Sequence, residues 1–245
     1  MKKLVECVPN FSEGRNQNKI GDIVKQMSDV PGITVLDVDP GPDTNRTVVT
    51  IVGSPEAVGE AAFQGIKRAS EVLDMSQHSG THPRMGATDV CPFIPVSDVT
   101  IEECVELSKQ VGNRVGDELG IPVYLYEKSA QKPDREKLPT IRKGEYEGLA
   151  EKLKDENWQP DFGLAELHVK GGATVMGCRE FLIAYNINLN TKDHRLATDI
   201  AFELREAGRS KRTPNPNSKN LLDGEIVRNE DGSPVKVPGM FKDVK

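Results

Sequence analysis

The chain of 245 residues has little of several features that define special classes of protein. It has only four cysteines, no CxxC motif and no cysteine–histidine cluster, which argues against a disulfide scaffold and against a zinc site. No apolar run approaches the ~20 residues of a membrane span. The apolar run at the N-terminus is cut by Glu6 and Pro9, which argues against a signal peptide. We therefore expect a cytoplasmic globular protein that does not bind membranes.

The sequence also lacks a basic stripe and the common nucleotide motifs. Lys and Arg number 32 against 38 Asp and Glu, so the formal net charge is −6, and nucleic acid is not the expected partner. The patterns GxGxxG, GxxxxGK[ST] and GxSxG are absent, which removes the usual dinucleotide, P-loop and esterase signatures. A small anionic ligand stays open, because a few arginines can reverse the local field.

Hydrophobic periodicity and turn residues predict alternating strands and helices. Ser54 and Pro55 suit a helix start, and Thr100 with Glu103 forms a capping box. Through residue 96 the order is β-α-β-β-α-β, the ferredoxin-like split unit. Because proline cannot donate to a sheet, Pro92 predicts that its strand lies at an edge or a bulge. Strands are predicted at 3–8, 33–39, 46–53, 90–96, 121–127 and 179–190, and helices at 16–29, 55–74, 101–119, around 146–155 and at 192–208.

The stretch "HSGTHPRMGATDV" (78–90) is the most chemical part of the sequence. His82 is restricted to extended conformations by Pro83, and the glycines on either side let a ligand approach closely. Arg84 and Asp89 place charges nearby. A histidine on a rigid loop among charged groups suits a general acid/base near neutral pH. A purely structural loop histidine is the alternative.

The same stretch offers a weak case for a metal. His78 and His82 lie four residues apart, which would put both on one face of a helix. Gly80 and Pro83 disfavour a helix there, so we expect no metal site. His78 alone favours a surface or helix-end residue.

Two further segments carry candidate residues. Asp37 and Asp39 point to one face of a predicted strand, either as turn and cap carboxylates or as partners of His82 or of a reacting cation. The segment "VPNFSEGR" (8–15) begins a helix or, with Asn10 and Arg15, binds an anion. From the residues alone, the sequence predicts a cytosolic αβ protein with one loop-borne histidine site.

Six long strings resemble the formiminotransferase domain of glutamate formiminotransferases, which in animals is joined to a cyclodeaminase. They are "LVECVPNFSEGR", "LDVDPGPDTNRTV", "HPRMGATDVCPFIPV", "IPVYLYE", "RKGEYEGLAEKL" and "GATVMGCREFLIAYNINL". The similarity runs from residue 3 to about 208 in the same order. It implies transfer of a formimino group from N-formiminoglutamate to nitrogen 5 of tetrahydrofolate, as in histidine degradation and one-carbon metabolism.

The resemblance also implies an α+β fold of two subdomains whose sheets face each other across a folate tunnel. We expect the N-terminal subdomain, with an extra helix and strand, at 1–178. An incomplete second α+β subdomain is expected at 179–245, ending in a polar, mobile segment. Tetrahydrofolate, which can be polyglutamylated, is expected as co-substrate, with no metal. A homodimer and a cyclodeaminase partner are the expected assemblies.

Residue roles follow from the resemblance. His82 falls on the family's catalytic histidine, and Asp39 is the expected carboxylate that stabilises charge on the histidine or on the amidinium. Because both substrates carry glutamate carboxylates, arginines are expected to hold them. The expected substrate- and folate-binding residues are Asn10, Arg15, Arg46, Arg84, Gly86, Arg179 and the stretch Gly163, Leu164, Ala165, Glu166, Leu167, His168, Val169, Lys170, Gly171 and Gly172.

Three alternatives stay open at this point. N-formylglutamate could be the donor, which would use the same histidine and arginines. The chain could be a folate-binding protein without turnover, an option favoured slightly by Thr81, where many relatives carry Glu. A metal-dependent hydrolase is the third.

Overall fold

A computed structural model of the chain describes residues 2–182, 187, 189–205, 208–218 and 223–239. It divides into two compact units, Met1–Leu182 and Ile183–Lys245, which are described separately. The predicted boundary between 178 and 179, the facing of two sheets and the mobile tail stay predictions. Among the described residues, no helix is long and apolar enough to cross a membrane.

The first unit holds seven strands and five helices among its described residues. Short 3₁₀ turns connect several of them. The strands are β1 (Leu4–Cys7), β2 (Asn10–Phe11), β3 (Thr34–Gly41), β4 (Arg46–Gly53), β5 (Thr88–Ser97), β6 (Val123–Leu125) and β7 (Thr174–Cys178), and the helices are α1 (Gln17–Ser28), α2 (Pro55–Val72), α3 (Ile101–Leu119), α4 (Leu138–Arg142) and α5 (Leu149–Lys152).

The seven strands form one mixed sheet. Its lateral order is β3, β4, then β1 and β2 in one line, then β5, β7 and β6. The strands from β3 to β5 pair antiparallel, as the ferredoxin-like unit requires, whereas β7 pairs parallel with both β5 and β6. The predicted α+β fold and its ferredoxin-like first part are confirmed.

Local signals explain the long helices. Ser54 accepts a hydrogen bond from the Ala57 amide at the start of α2, and Thr100 and Glu103 form the predicted capping box of α3. Asn16 caps α1 in the same way. The apolar faces of these helices pack on one face of the sheet and form the main core, which includes Val5, Cys7, Ile23, Met27, Ile51, Phe63, Ile66, Cys91, Phe93 and Val115.

Of the two positions predicted for the fifth strand, the edge is wrong, because β5 lies between β1/β2 and β7. The bulge is observed, because the register of β5 shifts against both β1 and β2. Pro92 lacks only a donor, and its carbonyl still accepts a hydrogen bond of 3.2 Å from the Val8 amide. Pro95 lies opposite Val5, where the register with β1 shifts. A central strand therefore tolerates both prolines.

The strong strand predicted at 179–190 is not observed where the structure can test it. Residues 179–182, 187 and 189–190 are outside any strand, and 183–186 and 188 lie outside the described residues. The strand that forms in this region is β7, which lies in a glycine-rich stretch where the sequence predicts no strand. Gly177 is needed there, because a Cβ would lie 2.3 Å from the carbonyl oxygen of Tyr126.

The second unit contains helix α6 (His194–Leu204) and the strands β8 (Arg209–Ser210) and β9 (Lys236–Val237). The helix ends at Leu204, a few residues short of the predicted end at 208. The segment "NEDGS" (229–233) forms the turn of a hairpin, in which the Asn229 amide donates to the Ser233 carbonyl at 2.8 Å and Arg228 pairs with Pro234.

Candidate active site

Most of the predicted site residues lie at one edge of the sheet, where several strands begin or end. The parallel strands β5 and β7 both begin at this edge, β2 ends there, and the turn between β3 and β4 lies there too. We call the segment 78–87 before β5 the His82 loop, and the segment 163–172 before β7 the 163–172 loop. Sequence spacing could not bring these segments together, whereas the strand order does.

His82 lies partly buried on its loop. Its Nδ1 is 2.7 Å from the carbonyl oxygen of the neighbouring Pro83, so the other ring nitrogen is left for chemistry. Burial, and then the positive charge of Arg46, holds the pKa of His82 below its ordinary value. The imidazole is therefore neutral near pH 7 and is suited to accept a proton first.

A buried carboxylate, that of Asp89, acts on His82 together with the two arginines that share it. Asp89 Oδ2 lies 2.5 Å from Nη1 of Arg46 and 2.5 Å from Nη2 of Arg142. The side chain of Asp89 is 0% exposed, and those of the two arginines are 11% and 13% exposed. Two positive charges meet one negative charge, so the cluster carries a surplus positive charge beside His82.

A bulge explains how Asp89 comes to point inward. The pairing of β2 with β5 steps from Asn10–Val90 to Phe11–Thr88, so Asp89 has no partner across the ladder. Its Oδ1 accepts a hydrogen bond of 3.0 Å from the Met85 amide. Asn10, a predicted binding residue, accepts a hydrogen bond of 3.0 Å from Nε of Arg46 and so orients that guanidinium.

Arg84 is committed to partners within the chain. Nη1 donates to Glu145 at 2.9 Å and to Glu147 at 2.8 Å, and Nη2 donates to Glu147 at 2.6 Å. Nε donates to Nδ1 of His78 at 3.2 Å, and Nη2 also reaches the carbonyl of His78 at 3.4 Å. All five N–H donors are used. The role of carboxylate clamp predicted for Arg84 is therefore not available in this conformation.

These residues line an open cleft of about 480 Å³. His78, Ser79, Gly80 and Arg84 form one side, and Gly144, Glu145 and Glu147 form the other. The cleft adjoins the His82 loop because its first wall is part of that loop.

Two further predicted residues are exposed: Asp39 in β3 and Arg15, which lies between β2 and α1. Asp39 lies opposite Val48 on β3, the outermost strand at that side of the sheet, and is exposed. Asp89, not Asp39, is the carboxylate whose charge acts on His82. A catalytic role for Asp39 stays a prediction. Arg15 is exposed, and its Nε donates to the Pro42 carbonyl at 2.9 Å.

Backbone hydrogen bonds join the His82 loop to the 163–172 loop and to Ala173, the residue that follows it. The Ala87 amide donates to the Gly171 carbonyl at 2.8 Å, and the Ala173 amide donates to the Met85 carbonyl at 3.1 Å. A Cβ on Gly86 would lie 2.3 Å from the Ala173 oxygen, and one on Gly172, which has φ +65°, would lie 2.2 Å from the Met85 oxygen. Both glycines are required for this contact.

Side chains of the 163–172 loop show two kinds of behaviour. Leu164 and Val169 are 64% and 57% exposed, whereas Leu167 packs partly against a small second core. His168 is internal to the loop, because its Nδ1 accepts a hydrogen bond of 2.8 Å from the Gly171 amide. Gly163 packs against Gly116 at the end of α3. Ala165, Glu166 and Lys170 complete the loop, and the Lys170 carbonyl accepts from the Met75 amide at 3.1 Å.

Arg179 is the predicted site residue that the fold places elsewhere. It follows the last residue of β7, whereas Gly172 precedes the first. The five strand residues between them span about 17 Å, so Arg179 lies at the opposite edge of the sheet. Its amide donates to the Phe93 carbonyl at 3.1 Å, near the other end of β5.

Sequence reasoning missed the contribution of the segment 142–147. Arg142 binds Asp89, and Glu145 and Glu147 bind Arg84. The available signal was the string "RKGEYEG", which places four charged residues and two glycines within seven residues. Among the described residues, no group of three or more His, Cys, Asp or Glu side chains is placed to hold a metal ion.

Comparison with known proteins agrees with this architecture. The family profile of the formiminotransferase domain, N-terminal subdomain, matches residues 4–179. A formimidoyltransferase-cyclodeaminase of Mus musculus is 57% identical over 215 residues, which are 87% of this chain and 39% of the mouse protein. A glutamate formimidoyltransferase of Streptococcus pyogenes serotype M1 is 50% identical over 208 residues, covering 85% of this chain and 70% of that protein.

A glutamate formimidoyltransferase of Thermoplasma acidophilum is 49% identical over 204 residues, which are 82% of this chain and 67% of that protein. The chain thus spans 39% of the length of the mouse bifunctional relative and about two thirds of the length of the two single-function relatives. With a profile match that covers most of its length and identities near one half or above, the chain belongs to the formiminotransferase family.

Proposed function

We propose that this chain transfers the formimino group of N-formiminoglutamate to nitrogen 5 of tetrahydrofolate and releases glutamate. The names of its relatives support the reaction class. The observation that carries the proposal is the position of His82, a partly buried and neutral imidazole beside the Arg46–Asp89–Arg142 cluster. A proton acceptor and an anion-binding group thereby share one edge of the sheet.

The chemistry needs one proton to move twice. Nitrogen 5 attacks the formimino carbon, and His82 takes the proton that nitrogen 5 loses as the new C–N bond forms. The tetrahedral adduct then breaks its bond to the glutamate nitrogen, and His82 returns the proton to that leaving amine. One histidine serves both steps, so atoms and charge balance. Such general acid/base work contributes about 10²–10⁴-fold.

Substrate carboxylates suit the surplus positive charge of the cluster. Arg46 and Arg142 share one carboxylate, and both keep a small solvent-exposed area. A guanidinium binds a carboxylate through paired hydrogen bonds, which fixes orientation as well as position. We assign one glutamate carboxylate to Arg46 and Arg142. Arg142 thereby takes the role of carboxylate clamp that the sequence predicted for Arg84.

Folate is proposed to lie along the 163–172 loop. The exposed Leu164 and Val169 give this loop apolar surface, which fits the flat rings of a folate. Backbone contacts through Gly86 and Gly172 set the distance between the two loops. Polyglutamylated tetrahydrofolate as the form used, a homodimer, a cyclodeaminase partner and a cytoplasmic location stay predictions.

A glutamate-release assay tests the proposal directly. The chain is incubated with tetrahydrofolate and N-formiminoglutamate, and a parallel sample contains N-formylglutamate. We expect release that requires tetrahydrofolate and is faster with the formimino donor. Faster release with the formyl donor would select the alternative substrate. Folate binding without any release would show a silent folate-binding protein and overturn the proposal.

A further inference from the structure

His78 has a more specific role than a surface histidine. It is half-buried at the start of the His82 loop, and both of its ring nitrogens have partners. Nε2 lies 3.0 Å from the Asn45 carbonyl oxygen, and Nδ1 lies 3.2 Å from Nε of Arg84. His78 therefore connects the turn between β3 and β4 to the arginine at the other side of the loop.

These two partners fix the protonation state of the ring. A carbonyl oxygen can only accept, so Nε2 must carry the hydrogen. The guanidinium of Arg84 can only donate, so Nδ1 must be bare. His78 fits its surroundings only as the neutral Nε2–H tautomer.

Asn45 binds the same loop a second time. Its side-chain Nδ2 donates to the Ser79 carbonyl at 2.9 Å, and its Oδ1 accepts from the Gly14 amide at 3.0 Å. The residue has φ +50°, a left-handed conformation that asparagine tolerates better than most residues. A Cβ on Gly80 would lie 2.3 Å from the Thr44 oxygen, so the loop touches this turn directly.

The other end of the connection is also held in a left-handed backbone. Glu145 has φ +53° and pairs with Arg84, which Glu147 binds as well. Strained residues of this kind persist only where surrounding contacts hold them, and they cluster at functional sites. Two of the four non-glycine residues with positive φ in the described chain thus flank the His78–Arg84 pair.

We propose that neutral His78 is a positioning residue, which holds the His82 loop in register by joining the Asn45 turn to Arg84. The inference rests on the proposed function for its kinetic consequence. Among the described residues, the His82 ring makes one hydrogen bond, to its neighbour Pro83. The position of the ring therefore depends on how the two ends of its loop are held, and His78 lies at one of these ends.

Protonation of His78 would break this connection. Nδ1 would become a donor that faces the Nε–H of Arg84, and two positive charges would meet. Arg84 and Arg15 oppose the charged form, whereas Glu13 favours it, as does Glu147 through its own interaction with the ring. Burial has the largest effect and holds the pKa of His78 below its ordinary value. The neutral form therefore persists into mildly acidic solution.

The first test needs no activity. ¹⁵N NMR of the full chain distinguishes the tautomers of its four histidines. We expect the His78 ring to carry its hydrogen on Nε2 at neutral pH. A hydrogen on Nδ1, or a charged ring at pH 7.5, would overturn the proposal.

The second test compares three variants by the glutamate-release assay. His78→Leu removes both hydrogen bonds, and His78→Gln keeps a neutral donor and acceptor. The matched control is His194→Leu, which replaces an exposed histidine of the second unit. We expect His78→Leu to lower kcat at least about tenfold with each KM within about twofold, because small displacements of a catalytic group have large rate effects. His78→Gln should recover most of kcat.

Several results would contradict the inference. They are a kcat of His78→Leu within twofold of the parent, a change confined to KM, or no recovery in a folded His78→Gln. Absence of glutamate release by the parent would defeat the proposed function instead. In that case the NMR titration of His82 decides on His78: loosening of the loop by His78→Leu should raise the lowered pKa of His82, and an unchanged titration would overturn the inference. If Trp158 emission shows that His78→Leu is unfolded, His78→Asn takes its place in both measurements.

Discussion

The two loops that meet at the edge of the sheet are built in opposite ways. The His82 loop is held by charged and polar side chains, with Asp89 buried between Arg46 and Arg142 at the strand that follows it. The 163–172 loop is joined to the His82 loop by backbone contacts around Gly172, and it exposes Leu164 and Val169. The first loop is thus anchored by buried charged groups, whereas the second presents exposed apolar side chains.

This difference separates two tasks of the proposed reaction. Proton transfer needs a group fixed within a fraction of an ångström, and buried ion pairs give that rigidity. Binding a flat, partly apolar co-substrate needs exposed apolar area and a set distance from the reacting group. The variants below test whether rate and stability follow the first loop while affinity follows the second.

The largest effect is expected for His82→Ala. We predict that glutamate release slows by at least about 10²-fold, because the proton carrier is lost, while folate affinity and stability are kept. The retained stability follows from the single hydrogen bond that the ring makes, to its neighbour Pro83. Turnover within a few-fold of the parent would remove His82 from the mechanism. His194→Ala is the matched control.

Asp89→Asn should cost the most stability. Replacing the shared carboxylate leaves two arginines without a counter-charge, which destabilises by about 3 kcal/mol or more. The chain has a single tryptophan, Trp158, which lies in the first unit, so its fluorescence during urea unfolding reports that unit. Asp134→Asn, at an exposed carboxylate of the same unit, should change little. Equal stability of the two variants would show that the cluster does not hold the site.

Gly172→Ala should be less harmful than Asp89→Asn but more harmful than Gly120→Ala. Both glycines have φ +65°, so both substitutions carry the strain of a left-handed residue, about 1–2 kcal/mol. Only at Gly172 would the new Cβ also strike a backbone oxygen, whereas Gly120 has no atom within 4 Å. The difference between the two urea midpoints measures the loop contact. Identical midpoints would mean that the two loops separate easily.

Leu164→Ser should affect binding alone. Leu164 is 64% exposed, so its loss leaves stability unchanged, while the KM for tetrahydrofolate should rise about threefold to tenfold as apolar contact is lost. Leu182→Ser is the control, since Leu182 is 68% exposed and follows β7 at the opposite edge. A KM that is unchanged in Leu164→Ser, or raised equally in both variants, would place folate elsewhere.

The smallest effect concerns the acid limb of the pH profile. Because His82 must be neutral to accept a proton, kcat/KM should be full above its pKa and fall as pH drops through it. Burial and neighbouring positive charge lower that pKa, so the midpoint should lie below the ordinary value of 6.5. Removing one positive charge with Arg142→Gln should move the midpoint upward. A midpoint above 6.5 in the parent, or a downward shift in the variant, would contradict the assigned electrostatics.

Sequence patterns predicted the first unit well where a local signal was sufficient. The caps at Ser54 and Thr100 mark two helices correctly, and the split β-α-β-β-α-β order follows from periodicity. They failed where a tertiary partner decides. β5 accepts prolines at the centre of the sheet, and β7 forms within a glycine-rich stretch, because neighbouring strands supply the pairing.

The candidate site shows the same division. His82 stands out by its own loop chemistry, but two of its charged neighbours, Arg46 and Arg142, come from distant segments. Arg142 is 53 residues from Asp89, and Arg46 is 43 residues from it. The sequence predicts a carboxylate clamp at Arg84 but does not reveal that Glu145 and Glu147 already bind this arginine. Pairing between distant charges is set by the fold and is not visible in spacing.

A crystal structure with tetrahydrofolate bound tests the central claim most directly. The account predicts the free nitrogen of His82 within about 3.5 Å of nitrogen 5, or joined to it through one water molecule. A bound folate whose nitrogen 5 lies far from that ring, with no water path between them, would contradict it.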